Sequence, residues 1–218
     1  MRLLDDLRAE HVLIERVVGA LRTFVARRVV DPSAPNAEGD AFIRFFRLYA
    51  HRFHHAREED VLLRVLVERT EAPAERGPVR IIRDDHRAMT GMVDEMASLI
   101  AKALSDVEAR RLVDVATRFG TALLRHIDAE NSVLFPESEA RLRRCVVLDL
   151  PDRGPDAEEA AARDEGERLC ERYTPSEFPD LLRGDGCVSC PAYGDRCDGV
   201  EQEWSHELEW EDMRDRIG

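Results

Sequence analysis

Six residues of this chain have the types and the spacing needed to hold two metal ions between helices. Two pairs have the form His-x-x-x-Glu, and a spacing of four residues places both side chains of a pair on one helix face. Two further histidines stand alone in other segments. Imidazole and carboxylate together are donors that iron-sized ions accept inside helix bundles. The six candidate ligands are His11, His54, Glu58, His86, His126 and Glu130.

Four apolar repeats position these residues. Within residues 4–25, 46–65, 79–100 and 112–133, apolar residues recur every three or four positions, as on the buried face of a helix, and each repeat places a histidine on that face. A polar group buried without a partner costs roughly 2–7 kcal/mol. A single core histidine is commonly satisfied by hydrogen bonds, but four of them with two glutamates are most simply satisfied together by metal.

The two pairs lie in similar local sequences. Residues 54–63 align with residues 126–135, and in both an apolar run begins three residues after the glutamate. The alignment favours the pair that starts at His54 over its neighbour, His55 with Glu59. The alignment therefore places His55 and Glu59 about 100° round the helix from the favoured pair, at the surface or behind the ligands. His51, one turn earlier, is a further candidate for lining the site.

Capping signals mark where several helices begin. Ser105 and Glu108 have the spacing of a capping box. Pro78 suits the first turn of the third helix. Asp156 is expected to cap a short helix that ends at about Tyr173. These signals predict one helical domain over residues 1–145 and an extension over residues 146–218.

These motifs resemble those of the hemerythrin-like (HHE cation-binding) family, over about residues 1–145. The first is Ala-Glu-His11, and the second is His-His-x-x-Glu-Glu at 54–59. The third is Asp-Asp-His86. The most specific is the last, His126-x-x-x-Glu-Asn-x-x-Leu-Phe-Pro136.

The resemblance implies an all-α, antiparallel up-down four-helix bundle with two non-haem iron ions and a bridging oxo or hydroxo group. We expect Glu58 and Glu130 to bridge the ions, and each histidine to bind through Nε2. Members of the family bind or react with oxygen, nitric oxide or peroxide, store or sense iron, or help repair iron–sulfur clusters. We therefore expect a sensor or scavenger of a small oxidant. The alternatives are a di-iron oxidase, oxygenase or peroxidase-type enzyme, and an iron-storage or iron–sulfur repair protein.

Two positions depart from the oxygen-carrying members of that family. Thr90 stands four residues after His86, where those members have a second histidine, and Glu130 stands in place of an aspartate. The expected ligand set is therefore one histidine short. A missing ligand predicts a position open to a small oxidant, which favours redox reaction or sensing over reversible oxygen transport.

Composition limits the location and the partners. The chain has 218 residues, of which 44% are apolar. It shows neither a signal peptide nor an apolar run approaching ~20 residues, so we expect a cytoplasmic protein without a membrane span. Residues 149–218 contain 21 acidic and 8 basic side chains and so account for the whole formal net charge of −13. This acidic extension argues against nucleic-acid binding and is either a solvated surface or a contact for a protein partner.

A cysteine cluster in the extension suggests a second metal site. Cys187-x-x-Cys190 is followed by Cys197, and His206 or Cys170 would complete a set of four ligands. This pattern is common in structural zinc sites. An iron–sulfur cluster, thiol redox chemistry and no special role are the alternatives.

Overall fold

The computed structural model describes residues 1–30, 37–101, 104–178 and 181, and every regular element in those ranges is helical. The five described helices are α1 (Arg2–Val30), α2 (37–70: Ala37–Arg44, Phe45–His55, Glu58–Leu63, Arg64–Thr70), α3 (Gly77–Ile100), α4 (106–144: Asp106–Ala129, Glu130–Leu134, Phe135–Arg144) and α5 (Ala157–Arg172). Helices α2 and α4 are each built from consecutive helical segments without a break between the first and last. None of the described helices is long and apolar enough to cross a lipid bilayer.

Two apolar clusters show how the first four helices are arranged. The smaller cluster joins the start of α1, the end of α2, the start of α3 and the end of α4. The larger cluster joins the opposite halves of the same helices. Because starts and ends alternate, successive helices run antiparallel. The predicted all-α four-helix bundle is confirmed, and a layer of polar residues lies between its two apolar clusters.

Helices α2 and α4 contain π-helical turns directly at the candidate ligands, over Phe45–His55, Glu58–Leu63 and Glu130–Leu134. A π-turn pairs each N–H with the carbonyl five residues back, so it holds more residues than an α-turn. The buried face therefore moves along the sequence by about one residue. Leu66 and Leu134 are fully buried, whereas Val65 and Val133, which the apolar repeats predicted as core residues, are only partly buried.

The predicted helix starts are confirmed. Ser105 and Glu108 form a reciprocal capping box at the start of α4. Asp156 caps α5 in the same way with Glu159. Pro78 lies in the first turn of α3, where its missing N–H has no cost because that group has no partner within the helix.

Helix α5 packs against the outside of the bundle. Its apolar side chains, with Tyr173, are part of the larger apolar cluster. Ion pairs flank this contact, with Arg16 2.9 Å from Glu167 and Arg44 2.6 Å from Glu165. Exposed pairs of this kind contribute little individually, so the apolar burial is the main stabilising contribution. Part of the negative charge of the extension is thus matched by arginines of its own bundle.

Gly166, on the face of α5 that meets the bundle, gives a test of this packing. A Cβ atom there would lie 2.5 Å from two ring atoms of the fully buried Phe45. We expect Gly166→Ala to lower the free energy of unfolding by about 1–3 kcal/mol, as overpacking does. The control, Gly91→Ala in α3, would meet no atom within 4 Å and should raise it by up to ~1 kcal/mol through helix propensity. Urea unfolding followed by circular dichroism measures both; equal stabilities would contradict this packing.

Candidate metal centre

Seven polar side chains meet in the layer between the two apolar clusters. All are donors of types that bind metal, and each is at most 5% exposed. Helices α1, α2, α3 and α4 all contribute, so the structure brings together the six residues that the sequence predicted. One residue that the sequence placed elsewhere joins them. The seven are His11, His54, His55, Glu58, His86, His126 and Glu130.

The donor atoms form two groups, and within each group they lie within 4.8 Å of one another. The two groups share Glu58, so they are neighbours. One group takes two imidazoles and the other takes three. The first consists of His11, His54, Glu58 and Glu130, and the second of His55, Glu58, His86 and His126.

Each glutamate lies between an imidazole of one group and an imidazole of the other. Glu130 Oε1 is 3.1 Å from Nε2 of His126, and its Oε2 is 3.2 Å from Nε2 of His11. In the same way, Glu58 Oε1 is 3.3 Å from Nε2 of His54, and its Oε2 is 3.4 Å from Nε2 of His86. A carboxylate that spans two ions needs this placement, so the geometry fits the bridging role predicted for both residues.

Several of these buried atoms have no hydrogen-bond partner among the described residues. They are Nε2 of His11 and His54 and all four carboxylate oxygens of Glu58 and Glu130. Buried carboxylate oxygens without donors are rare because they are costly. A metal ion would satisfy them, since imidazole and carboxylate suit transition metals such as iron. The residues present therefore fit a metal centre.

Four of the five imidazoles are held from behind through Nδ1. An Nδ1–H that donates outward leaves the lone pair of Nε2 facing the centre, and it fixes the plane of the ring. Three of the acceptors are carboxylates, which also make the imidazole a stronger donor to metal. The Nδ1 pairs are His11 with Asn131 (3.0 Å), His54 with Glu10 (2.8 Å), His86 with Glu59 (2.7 Å) and His126 with Asp85 (3.3 Å).

His55 is in the centre because of the π-helical winding of α2. Successive residues in Phe45–His55 are rotated by less than the 100° of an α-helix, so His54 and His55 both face the bundle interior. The prediction that His55 lies at the surface or behind the ligands was wrong, whereas Glu59 does lie behind His86. The centre has five imidazoles rather than four, and the open position inferred from Thr90 no longer follows from a ligand count.

A chain of ion pairs connects the centre to the extension. Glu10, which accepts from His54, also contacts Arg57. Arg57 is buried and pairs with Asp152 through two nitrogens, at 2.8 and 3.1 Å. Paired hydrogen bonds between guanidinium and carboxylate fix direction as well as distance. A residue beyond α4 thus helps to orient an imidazole of the centre.

Electrostatics differ among the imidazoles. Burial lowers the pKa of His126, but the negative charge of Glu130 and the hydrogen bond that His126 donates to Asp85 outweigh burial and raise that pKa to about 10. Burial and the neighbouring imidazoles hold the pKa of His55 well below its usual range. His126 is therefore protonated at neutral pH when no metal is bound, and His55 is neutral.

A narrow apolar pocket leads from the surface to His55. His51, which is exposed, and half-buried Thr90 line this pocket, and so does Met89. Phe53 does not line it and lies beneath the guanidinium of Arg57, 4.5 Å from it. The apolar walls include Phe46, Ala50, Met89, Val93 and Phe119.

The structure describes only one residue of the proposed cysteine site, Cys170. Cys187, Cys190, Cys197 and His206 lie outside the described residues. Cys170, the other candidate ligand, is buried in α5 within the larger apolar cluster. Burial raises the pKa of its thiol to about 11, so it behaves as an apolar core residue there.

The chain matches the model of a known protein family. The family model described as the hemerythrin HHE cation binding domain matches residues 2–138. That range includes all seven donors and ends before Asp152 and α5. No curated protein and no solved structure matches the chain.

The ion-pair chain predicts that residues behind the ligands tune metal affinity. We expect Glu10→Gln to weaken metal binding by about 10–100-fold, as is usual when the partner of a ligating histidine is removed. Asp152→Asn should act in the same direction but more weakly, because it acts through Arg57. The controls are Asp6→Asn and Asp149→Asn, which remove exposed carboxylates of the same two segments. Competition with a chelating dye measures each affinity; a loss in the controls equal to that in the variants would contradict the role of the chain.

The raised pKa of His126 predicts that metal binding releases protons. A group with a pKa of about 10 holds its proton at pH 7, and the metal must displace that proton to use the nitrogen. Metal affinity should therefore rise as the pH rises from 6 to 8. At least one proton per chain should be released on metal binding, measurable with an indicator dye in weakly buffered solution. Affinity that stays constant over this pH range would contradict the prediction.

Proposed function

Because the chain belongs to the hemerythrin HHE cation-binding family, we propose that its centre holds two non-haem iron ions. Glu58 and Glu130 would bridge them, together with an oxo or hydroxo group. The observation that carries this proposal is the pair of donor groups that share a carboxylate inside one buried layer. A single ion would leave several of the seven donors without a partner.

The bound iron would supply electrons to a small oxidant. The residues of the chain would keep water away from the iron, hold its ligands in place and balance its charge. The two apolar clusters above and below the centre exclude bulk water. The acceptors behind the imidazoles hold four Nε2 atoms in place before metal arrives, so little reorganisation is needed on binding. The two buried carboxylates offset part of the positive charge of the ions.

We infer that the physiological ligand is a small oxidant, namely oxygen, nitric oxide or peroxide, and that the protein senses or scavenges it. Support comes from the narrow pocket that ends at His55, whose walls are almost entirely apolar. The wider groove in the described part of the chain lies between α1 and residues 175–178 and 181, and it touches none of the seven donors. An oxidase of an organic substrate would need a wide pocket at the centre.

The alternatives differ in what they do with iron and oxidant. A peroxidase-type enzyme would consume peroxide continuously when a reductant is supplied. An iron store would take up more than two ions per chain or pass iron to an acceptor. A sensor or scavenger with a fixed set of seven donors should do neither.

Anaerobic reconstitution with ferrous iron tests the centre. We expect two irons per chain in the native protein, and a clear loss of iron in His126→Ala. His51→Ala removes an exposed histidine of α2 and serves as the matched control, which should keep both ions. Iron at about 1,000 times its dissociation constant should stabilise the fold by about 4 kcal/mol. That corresponds to a rise in Tm of roughly 8–16 °C for a chain of this size. Equal Tm values with and without chelator would contradict a buried metal centre.

Stopped-flow mixing of the ferrous protein with peroxide or oxygen tests the function. We expect one rapid oxidation per centre and then no continued consumption of the oxidant, with or without a reductant in the solution. Continued peroxide decay in the presence of reductant would support the enzyme instead. A stable oxygen complex that releases its oxygen under vacuum would support a carrier.

A further inference from the structure

His55 differs from the other four imidazoles of the centre in how it is held. Neither of its ring nitrogens has a hydrogen-bond partner among the described residues, whereas each of the others is fixed through Nδ1. Its main ring contact is a parallel stack on His86, with 3.9 Å between centroids and 9° between planes. Stacking restrains the plane of a ring but allows it to slide or turn away, which a hydrogen bond from behind would prevent.

The apolar pocket reaches the centre at this same residue. It lies between α2, α3 and α4, and His55 is the one metal donor among the residues that line it. The ring therefore has free space beside it, and a molecule that comes through the pocket meets His55 first. Arg47 also lines the pocket, but its charge is paired with Asp94 and almost all of the wall surface is apolar, so the pocket favours small uncharged molecules.

We propose that His55 is an exchangeable ligand, and that the pocket delivers a neutral diatomic molecule to the metal position that His55 vacates. This inference rests on the proposed di-iron centre. In the exchange, one bond between metal and imidazole nitrogen breaks and one bond between metal and the diatomic forms. A neutral donor replaces a neutral donor, so no charge enters the buried layer. Nitric oxide and oxygen have the required size and lack of charge.

The four fixed imidazoles make this assignment specific. Three of them donate Nδ1–H to carboxylates and the fourth donates to an amide oxygen. Loss of any of these from the metal would break or strain a hydrogen bond to the surrounding bundle. His55 can leave without breaking one. The ligand that exchanges is thus expected to be the one on the group with three imidazoles, next to the pocket.

Variants at His55 and its stacking partner test exchangeability. After anaerobic loading with ferrous iron, His55→Ala should keep two irons per chain, whereas His86→Ala should lose at least one. External imidazole should bind His55→Ala reversibly and change its absorption spectrum, but should leave the native protein unchanged. His55→Gln provides a second variant that keeps a polar side chain of similar size if alanine disturbs the fold. Retention of fewer than two irons by both His55 variants would overturn the proposal.

Variants at Val93 test the pocket without altering any donor. Val93→Phe should fill the pocket and slow the binding of nitric oxide to the ferrous protein by at least about tenfold. Val93→Ala should leave the rate equal or make it faster, and both variants should keep two irons. Binding at the native rate in Val93→Phe would overturn the pocket as the route. If the native protein takes up no iron, the proposed function itself fails; if it takes up two and only these variant tests fail, the di-iron centre stands and the role of His55 does not.

Discussion

The burial of two carboxylates and five imidazoles in one layer is the constraint on which this bundle depends. Charged and polar groups are costly in an apolar interior unless each is paired. Here the pairing is divided: the Nδ1 atoms of four imidazoles are satisfied by neighbouring side chains, and the inward-facing atoms are left for metal. The two apolar clusters hold four helices in register so that these inward atoms meet. Stability and metal binding are therefore expected to be inseparable in this chain.

The π-helical turns are the local adjustment that makes the layer complete. They occur at Phe45–His55, Glu58–Leu63 and Glu130–Leu134, and so include both buried glutamates of the layer. A wider turn brings adjacent residues onto one face, and this is how a His-His dipeptide contributes two donors. It also shifts the apolar face of α2 and α4 by one residue after the glutamates. The core there contains Leu66 and Leu134 in place of the predicted Val65 and Val133. Irregular winding of this type is frequent at functional sites.

The extension is part of the same structure as the bundle up to the end of α5. Arginines of α1 and α2 match several of its acidic side chains, and its apolar face covers the larger cluster. Through Asp152, Arg57 and Glu10 it also reaches His54. A change in how the extension packs would therefore alter the orientation of the His54 ring. A change in the position of His54 would in turn alter the contact between Arg57 and Asp152.

Sequence alone predicted the four helices of the bundle and six of the seven polar side chains that meet in its buried layer. Regular apolar repeats predicted α1 and α3 correctly because these helices keep α-helical winding throughout, and capping residues located the starts of α4 and α5. The His-x-x-x-Glu spacing placed Glu58 and Glu130 beside their histidines in the buried layer because four residues correspond to about one turn. Only the tertiary structure decided that His55 is the fifth imidazole and that Leu66 and Leu134 replace Val65 and Val133 in the core. The reason is that π-winding has no propensity signal of its own: it arises where packing and the polar layer favour a wider turn, which no local pattern records.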